Sequence, residues 1–236
     1  RLQGDWSSDV CSSDLPPMAQ APPASPPSAS PARAMEPLRL PWDLRLTPEQ
    51  FERVCQANPE AVLELAADGT LIAMTPTGGE TSSRNAEGLY QLRAFCRRQP
   101  RWRLFDSSGG FRLADGSMLS PDASLLHEER WQALSPAERR GFPPLCPDLV
   151  LELASPNGAS PSDEGPRGVT HLRHKMGLYQ ANGAQLGWLL LPHEQAVEIW
   201  RAGQPGMAER LDNACQLDGS ELAEGLRLDL EAIWAL

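Results

Sequence analysis

Apolar residues recur along this chain in two periods, and the switches between them predict its elements. Thr47-Pro48-Glu49-Gln50-Phe51 has the form of a helix start, with Thr47 as cap, Pro48 at the first helical position and Phe51 and Val54 on the apolar side. Val62-Leu63-Glu64-Leu65 and Thr70-Leu71-Ile72-Ala73-Met74 flank Asp68-Gly69, a hairpin signature. A helix is expected from about Ser82 to Arg98, because Leu89, Leu92, Phe95 and Cys96 recur at three-and-four spacing before Pro100 stops it. Trp102 to Asp106 and Gly110 to Leu113 read as short strands around Ser107-Ser108-Gly109, and Asp115-Gly116 turns the chain again. Another strand spans Pro121 to Leu126. Glu128 to Arg140 reads as helical, with Ser135-Pro136 as a second cap.

The second half alternates in the same way. Leu149-Val150-Leu151-Glu152-Leu153 is a short apolar strand, residues 155–168 form a loop rich in Pro, Ser and Gly, and Val169 to Ala181 is a helix with Leu172, Met176 and Tyr179 inward. Gly187 to Leu191 and Val197 to Trp200 form a strand pair, and Gly225 to Leu236 ends in a strand-like turn and a short helix. Helices bracketing strands in this order predict one α/β or α+β domain with a central mixed sheet. No internal repeat is visible.

Composition narrows the picture. The opening of the 236-residue chain contributes little to a core: Asp5 to Leu15 resembles a translated sequencing adapter, so residues 1–15 are set aside. Residues 16–37 are a Pro, Ala and Ser-rich leader expected to be disordered, with Met35 as a start site and a single domain over 38–236. The formal charge of −10 argues against binding nucleic acid by bulk electrostatics, so any DNA contact must be local, metal-assisted or weak. None of the five cysteines forms a CxxC pair, which suits free thiols in a reducing cytoplasm. No apolar run is long enough to span a bilayer. His171 and His174 share a helix face, but no third ligand for zinc lies near them in the sequence.

Three residues stand out chemically. Glu152 interrupts a strand that reads as buried on both faces, and a buried carboxylate needs a partner or a metal. The bland reading is a Glu at a strand end, facing solvent. Lys175 is the only lysine beside twenty arginines. An ammonium is a compact point charge whose pKa moves on burial, whereas Arg stays protonated; the bland reading is a surface lysine. Two Pro-Asp pairs compete for a third role. Asp148 lies four residues from Glu152 on one strand, about 13 Å along the backbone, too far to share one metal. Asp122, on another strand, can lie across from Glu152, so Asp122 joins the candidate site and Asp148 is assigned to capping or strand initiation.

Several motifs together carry a resemblance. They are Pro76-Thr77-Gly78-Gly79-Glu80-Thr81, Arg84-Asn85, Phe105-Asp106-Ser107-Ser108, Gly110-Phe111-Arg112-Leu113, Ser120-Pro121-Asp122-Ala123-Ser124, Pro144-Leu145-Cys146-Pro147-Asp148, and Lys175-Met176 with Tyr179. The chain resembles the Uma-type family of restriction-endonuclease-like proteins, in the PD-(D/E)xK nuclease superfamily, over roughly residues 38–236. The resemblance implies an αβββαβ core around a mixed sheet. It implies Asp122, Glu152 and Lys175 as catalytic core, with Asp122 and Glu152 holding Mg²⁺ or Mn²⁺ together with the Leu153 carbonyl. It also implies Glu80 and Glu64 as additional acidic candidates, DNA as partner and a homodimer. The superfamily's lysine lies two residues after the acid, where this chain has Ala154, so the resemblance moves that role to Lys175. Arg84 and Asn85 are candidates for the DNA backbone or ordinary solvated helix residues. The expected function is a Mg²⁺-dependent DNA endonuclease; the alternative is an inactive nuclease fold acting as an interaction or regulatory module. A Lys175→Met change is expected to abolish cleavage and leave folding intact.

Overall fold

The computed structural model describes residues 43–74, 76–155 and 168–236. The adapter-like opening, the leader and residues 156–167 of the Pro, Ser and Gly-rich loop lie outside them. Helix α1 (Pro48–Ala57) starts as its sequence dictates: the Thr47 hydroxyl accepts from the Gln50 N–H at 3.3 Å, and the Gln50 side chain accepts from the Thr47 N–H at 2.8 Å. Strands β1 (Val62–Leu65) and β2 (Leu71–Met74) form the antiparallel hairpin. Its turn requires Gly69, which has φ +83°, and a Cβ there would lie 2.7 Å from the Leu46 carbonyl oxygen.

Helix α2 spans Gly79–Arg98, starting before the expected Ser82. Its first turns are polar, so the apolar period does not register until Leu89. Strands β3 (Trp102–Asp106), β4 (Phe111–Arg112), β5 (Met118–Leu119) and β6 (Ala123–His127) follow. β3 and β4 flank the expected turn but are not partners: β3 pairs with β6, while β4 pairs with β5 in a separate sheet. Short helices α3 (Glu128–Ala133) and α4 (Pro136–Arg140) are divided at Ser135, which makes a second capping box with Glu138. Then come β7 (Leu149–Leu153), helix α5 (Val169–Ala181), β8 (Leu186–Leu191) and β9 (Ala196–Arg201). The chain finishes with β10 (Ala208–Asp212), β11 (Gln216–Asp218), β12 (Arg227–Asp229) and helix α6 (Leu230–Trp234).

The central sheet has six strands in the order β10-β9-β8-β7-β6-β3. Only β7 and β8 run parallel in it, and α5 is the crossover that a parallel pair needs. Read in chain order, α2, β3, β6, β7, α5 and β8 make the αβββαβ succession around a mixed sheet. A four-stranded sheet, β2-β1-β5-β4, and the β11-β12 pair complete the strands among the described residues.

Alternation along β7 decides what each face holds. Leu149, Leu151 and Leu153 enter a core built with Leu92 and Phe95 of α2, Trp188 of β8, Leu228 of β12 and Ile233 of α6. Val150 faces the other way, toward Leu172, Met176 and Tyr179 of α5 and Leu119 of β5. Glu152 has the parity of Val150, so it points to the α5 side. No helix among the described residues is long and apolar enough to cross a membrane.

Candidate active site

Four elements deliver polar groups to one place beneath α5. Glu64 comes from β1, Asp122 from the residue before β6, Glu152 from β7 and Lys175 from α5. The Lys175 ammonium lies 2.8 Å from Glu64 Oε1 and 2.8 Å from Glu152 Oε1, and it donates to the Ser120 carbonyl at 2.9 Å. Glu64, Glu152 and Lys175 are 1%, 2% and 2% exposed, which rules out both bland readings, the solvent-facing Glu and the surface lysine. Ser120 closes the group from the other side by donating its N–H to Glu64 Oε1 at 2.8 Å.

Asp122 joins through sheet register. β6 and β7 pair Ala123 with Leu151, and continuing that antiparallel register by one residue sets Asp122 opposite Glu152 on the same face. Asp122 Oδ2 accepts the Leu153 N–H at 2.9 Å. Tyr179, one helical turn after Lys175, donates its hydroxyl to Glu152 Oε1 at 3.3 Å. Sequence reasoning placed Tyr179 in the core and missed this contact; its four-residue offset from Lys175 was the available signal.

Charge dominates the chemistry of the group: two carboxyls, Glu64 and Glu152, converge on one ammonium, with Asp122 beside Glu152. Burial pushes the Glu152 carboxyl up to about 8, against the pull of Lys175, and the neighbouring Asp122 and Glu64 add to the rise. Burial alone would lower the Lys175 pKa, but Glu152 and Glu64 outweigh it and hold the amine charged above its usual range. Burial, then Glu152 and Glu64, raise the Tyr179 phenol well above normal, so it remains a donor.

The second Pro-Asp pair does something else. Asp148 is fully buried at the opposite end of β7, where it accepts from the His127 N–H at 2.7 Å and the Gln185 side chain at 2.8 Å and pairs with Arg130. It ties β6, α3 and β8 together. Glu80 is exposed and pairs with Arg84 at 3.5 Å, outside the buried group. The Arg84 guanidinium, 10% exposed, donates to the Leu236 carbonyl at 2.6 Å, and Asn85 Oδ1 is buried. Both are turned toward the protein, not outward as a phosphate contact requires. His171 is half-buried on α5, one turn before Lys175; burial lowers its pKa, opposed by Glu64.

The donors of this group are hard carboxylate oxygens from adjacent strands, the kind that suits Mg²⁺ or Mn²⁺. Among the described residues, no set of three or more His, Cys, Asp or Glu is gathered tightly enough to hold a metal alone. Asp122 and Glu152 still match the need of Mg²⁺ for one or two carboxylates plus water and substrate oxygens.

The αβββαβ succession around a mixed sheet, with α5 as the crossover between the parallel strands β7 and β8, defines the class of fold. The crystal structure of a putative nuclease belonging to DUF820 from Anabaena variabilis shares it, with a TM-score of 0.62 at 22% identity, covering 80% of this chain and 98% of that one. The model of the Uma2 family, described as "Putative restriction endonuclease", matches residues 48–231, and the chain belongs to that family. No curated protein matches it.

Proposed function

We propose that the chain is a metal-dependent endonuclease that hydrolyses phosphodiester bonds in DNA, with Asp122, Glu152 and Lys175 as its working residues. The observation that carries this reading is the burial of the chain's single lysine against Glu152, with Asp122 on the neighbouring strand of the same face. Asp122 and Glu152 would hold Mg²⁺ or Mn²⁺. Such an ion, when bound, polarises a phosphoryl oxygen and lowers the pKa of an attached water. The Lys175 ammonium, fixed by Glu64 and the Ser120 carbonyl, places a positive charge where the phosphate accumulates negative charge. Tyr179 fixes the Glu152 carboxyl, so neither side chain must reorganise during the reaction.

Nicking of supercoiled plasmid with and without Mg²⁺ tests the reading. Asp122→Asn keeps an acceptor for the Leu153 N–H, so stability should change by no more than about 1 kcal/mol. Nicking should fall by about 10²-fold or more. Unchanged nicking in Asp122→Asn removes that residue from the mechanism.

One observation favours the second reading, an inactive fold acting as an interaction or regulatory module. Lys175 satisfies Glu64 and Glu152 at the same time, as a purely structural ion network would. Folded wild-type protein that never nicks plasmid in Mg²⁺ or Mn²⁺ selects this alternative.

A further inference from the structure

A chain of net charge −10 that acts on nucleic acid needs a local foothold for it. A cavity of about 410 Å³ opens at the β3 edge of the central sheet, within the range of ligand-sized pockets. Its walls include Phe105, Trp131 and Phe142, with Arg139 and Arg140 of α4 beside them. The Trp131 ring already carries Arg103 at 5.2 Å and Arg139 at 5.8 Å from its centroid. Arg139 is held by the Leu134 and Gln132 carbonyls, at 3.0 and 2.7 Å. Arg140 is exposed and enters no ion pair among the described residues.

The cavity adjoins the candidate active site. Phe105 pairs with Ser124 in the sheet and packs into the core on the α5 side, the face that holds Glu152. Gly110 lines the cavity, and a Cβ there would meet the Phe142 ring at 2.5 Å and Ser120 Oγ at 3.1 Å. Ser120 in turn contacts Lys175 and Glu64 through its backbone. Ser120 therefore stands between the cavity wall and the buried ammonium.

We propose that this cavity is a nucleobase subsite, which takes one unstacked base of the strand being cut while Arg140 faces a flanking phosphate. Aromatic walls suit a base because every base presents a π face, and stacking on them tolerates any sequence. Arginine suits the phosphate as a planar, permanently charged donor. Glu52 of α1 also lines the cavity and repels a phosphate there, which sets the base inside and the phosphate toward α4. The Glu52 carboxylate can accept from an exocyclic amine. A fully paired duplex would first have to extrude a base, so single-stranded or mismatched DNA binds better.

The orientation of this subsite rests on the nuclease reading, and one experiment keeps the two apart. A single-stranded oligonucleotide carrying one 2-aminopurine is titrated into the full chain with Mg²⁺, and plasmid nicking is measured in parallel. The wild type should quench the 2-aminopurine as it stacks. Phe142→Leu, which keeps apolar bulk against Phe51, should lose most of the quench, and Arg140→Glu, at an exposed position, should weaken binding about ten-fold. Quenching that depends on these residues without any nicking supports the subsite and ends the nuclease reading. Nicking without quenching, or quenching and affinity unchanged in both variants, overturns the subsite.

Discussion

A lone ammonium between two buried carboxylates is not removed without consequence. The sequence alone suggested that Lys175→Met would leave folding intact, but the structure says otherwise, because the change takes from both Glu64 and Glu152 the buried partner that holds them in the interior. Breaking a buried pair in this way costs about 3–5 kcal/mol, which denaturant unfolding of Lys175→Met against wild type will read directly. Lost nicking in that variant is therefore ambiguous, whereas the Asp122→Asn change separates chemistry from folding. The raised Glu152 carboxyl gives a second outcome at this scale. In the native state it keeps its proton up to about 8, while in the unfolded chain it releases it near the ordinary 4.5. Between those values the native state binds more protons, so this group's contribution makes stability fall as pH rises through that window. Melting temperatures of the metal-free protein taken across it should decline, and the decline should be smaller in Asp122→Asn, which lacks one repelling charge.

At the scale of elements, the two Pro-Asp pairs divide the labour of β7. Asp148 serves α3, β6 and β8 at one end, and Glu152 serves the candidate active site at the other. Asp148→Ala should destabilise the fold by about 3 kcal/mol, since it leaves Arg130 and the His127 N–H without their buried acceptor. A folded Asp148→Ala protein with unchanged unfolding free energy would contradict that assignment. Legibility in the sequence followed the strength of the local signal. β7 and α5 have their expected bounds because a short apolar run and the spacing of Leu172, Met176 and Tyr179 announce them. β5 has two residues and β10 is largely exposed, so neither carries a hydrophobic pattern to detect. Glu152 stood out because it breaks a local rule, and Lys175 because it is the only lysine beside twenty arginines. Glu64 stayed ambiguous because a strand's inner face is undefined until its partner is known. The direction of Arg84 was invisible, since its partner Leu236 lies 152 residues away.

At the scale of the whole molecule, the Lys175 group joins the four-stranded sheet, through Glu64 and Ser120, to the six-stranded sheet, through Glu152. A divalent ion held as proposed by Asp122 and Glu152 would bind the native chain and not the unfolded one, and so would stabilise it by mass action. At a hundredfold excess over its dissociation constant, Mg²⁺ or Mn²⁺ adds about 2.7 kcal/mol. For a domain of this size that raises the melting temperature by roughly 5 °C or more. Ca²⁺ and monovalent controls establish selectivity, and a flat response to millimolar Mg²⁺ and Mn²⁺ counts against the metal assignment.

The same lysine thus rivets two sheets and faces the proposed chemistry, so folding and activity are drawn from one atom. A library of variants screened only for protease resistance, with no DNA in the tube, would retain Lys175 as strictly as a screen for cutting. Persistence of that residue under selection is therefore no witness to catalysis in this protein; Asp122, whose bond to the Leu153 N–H lies within the six-stranded sheet, is the position whose fate would tell.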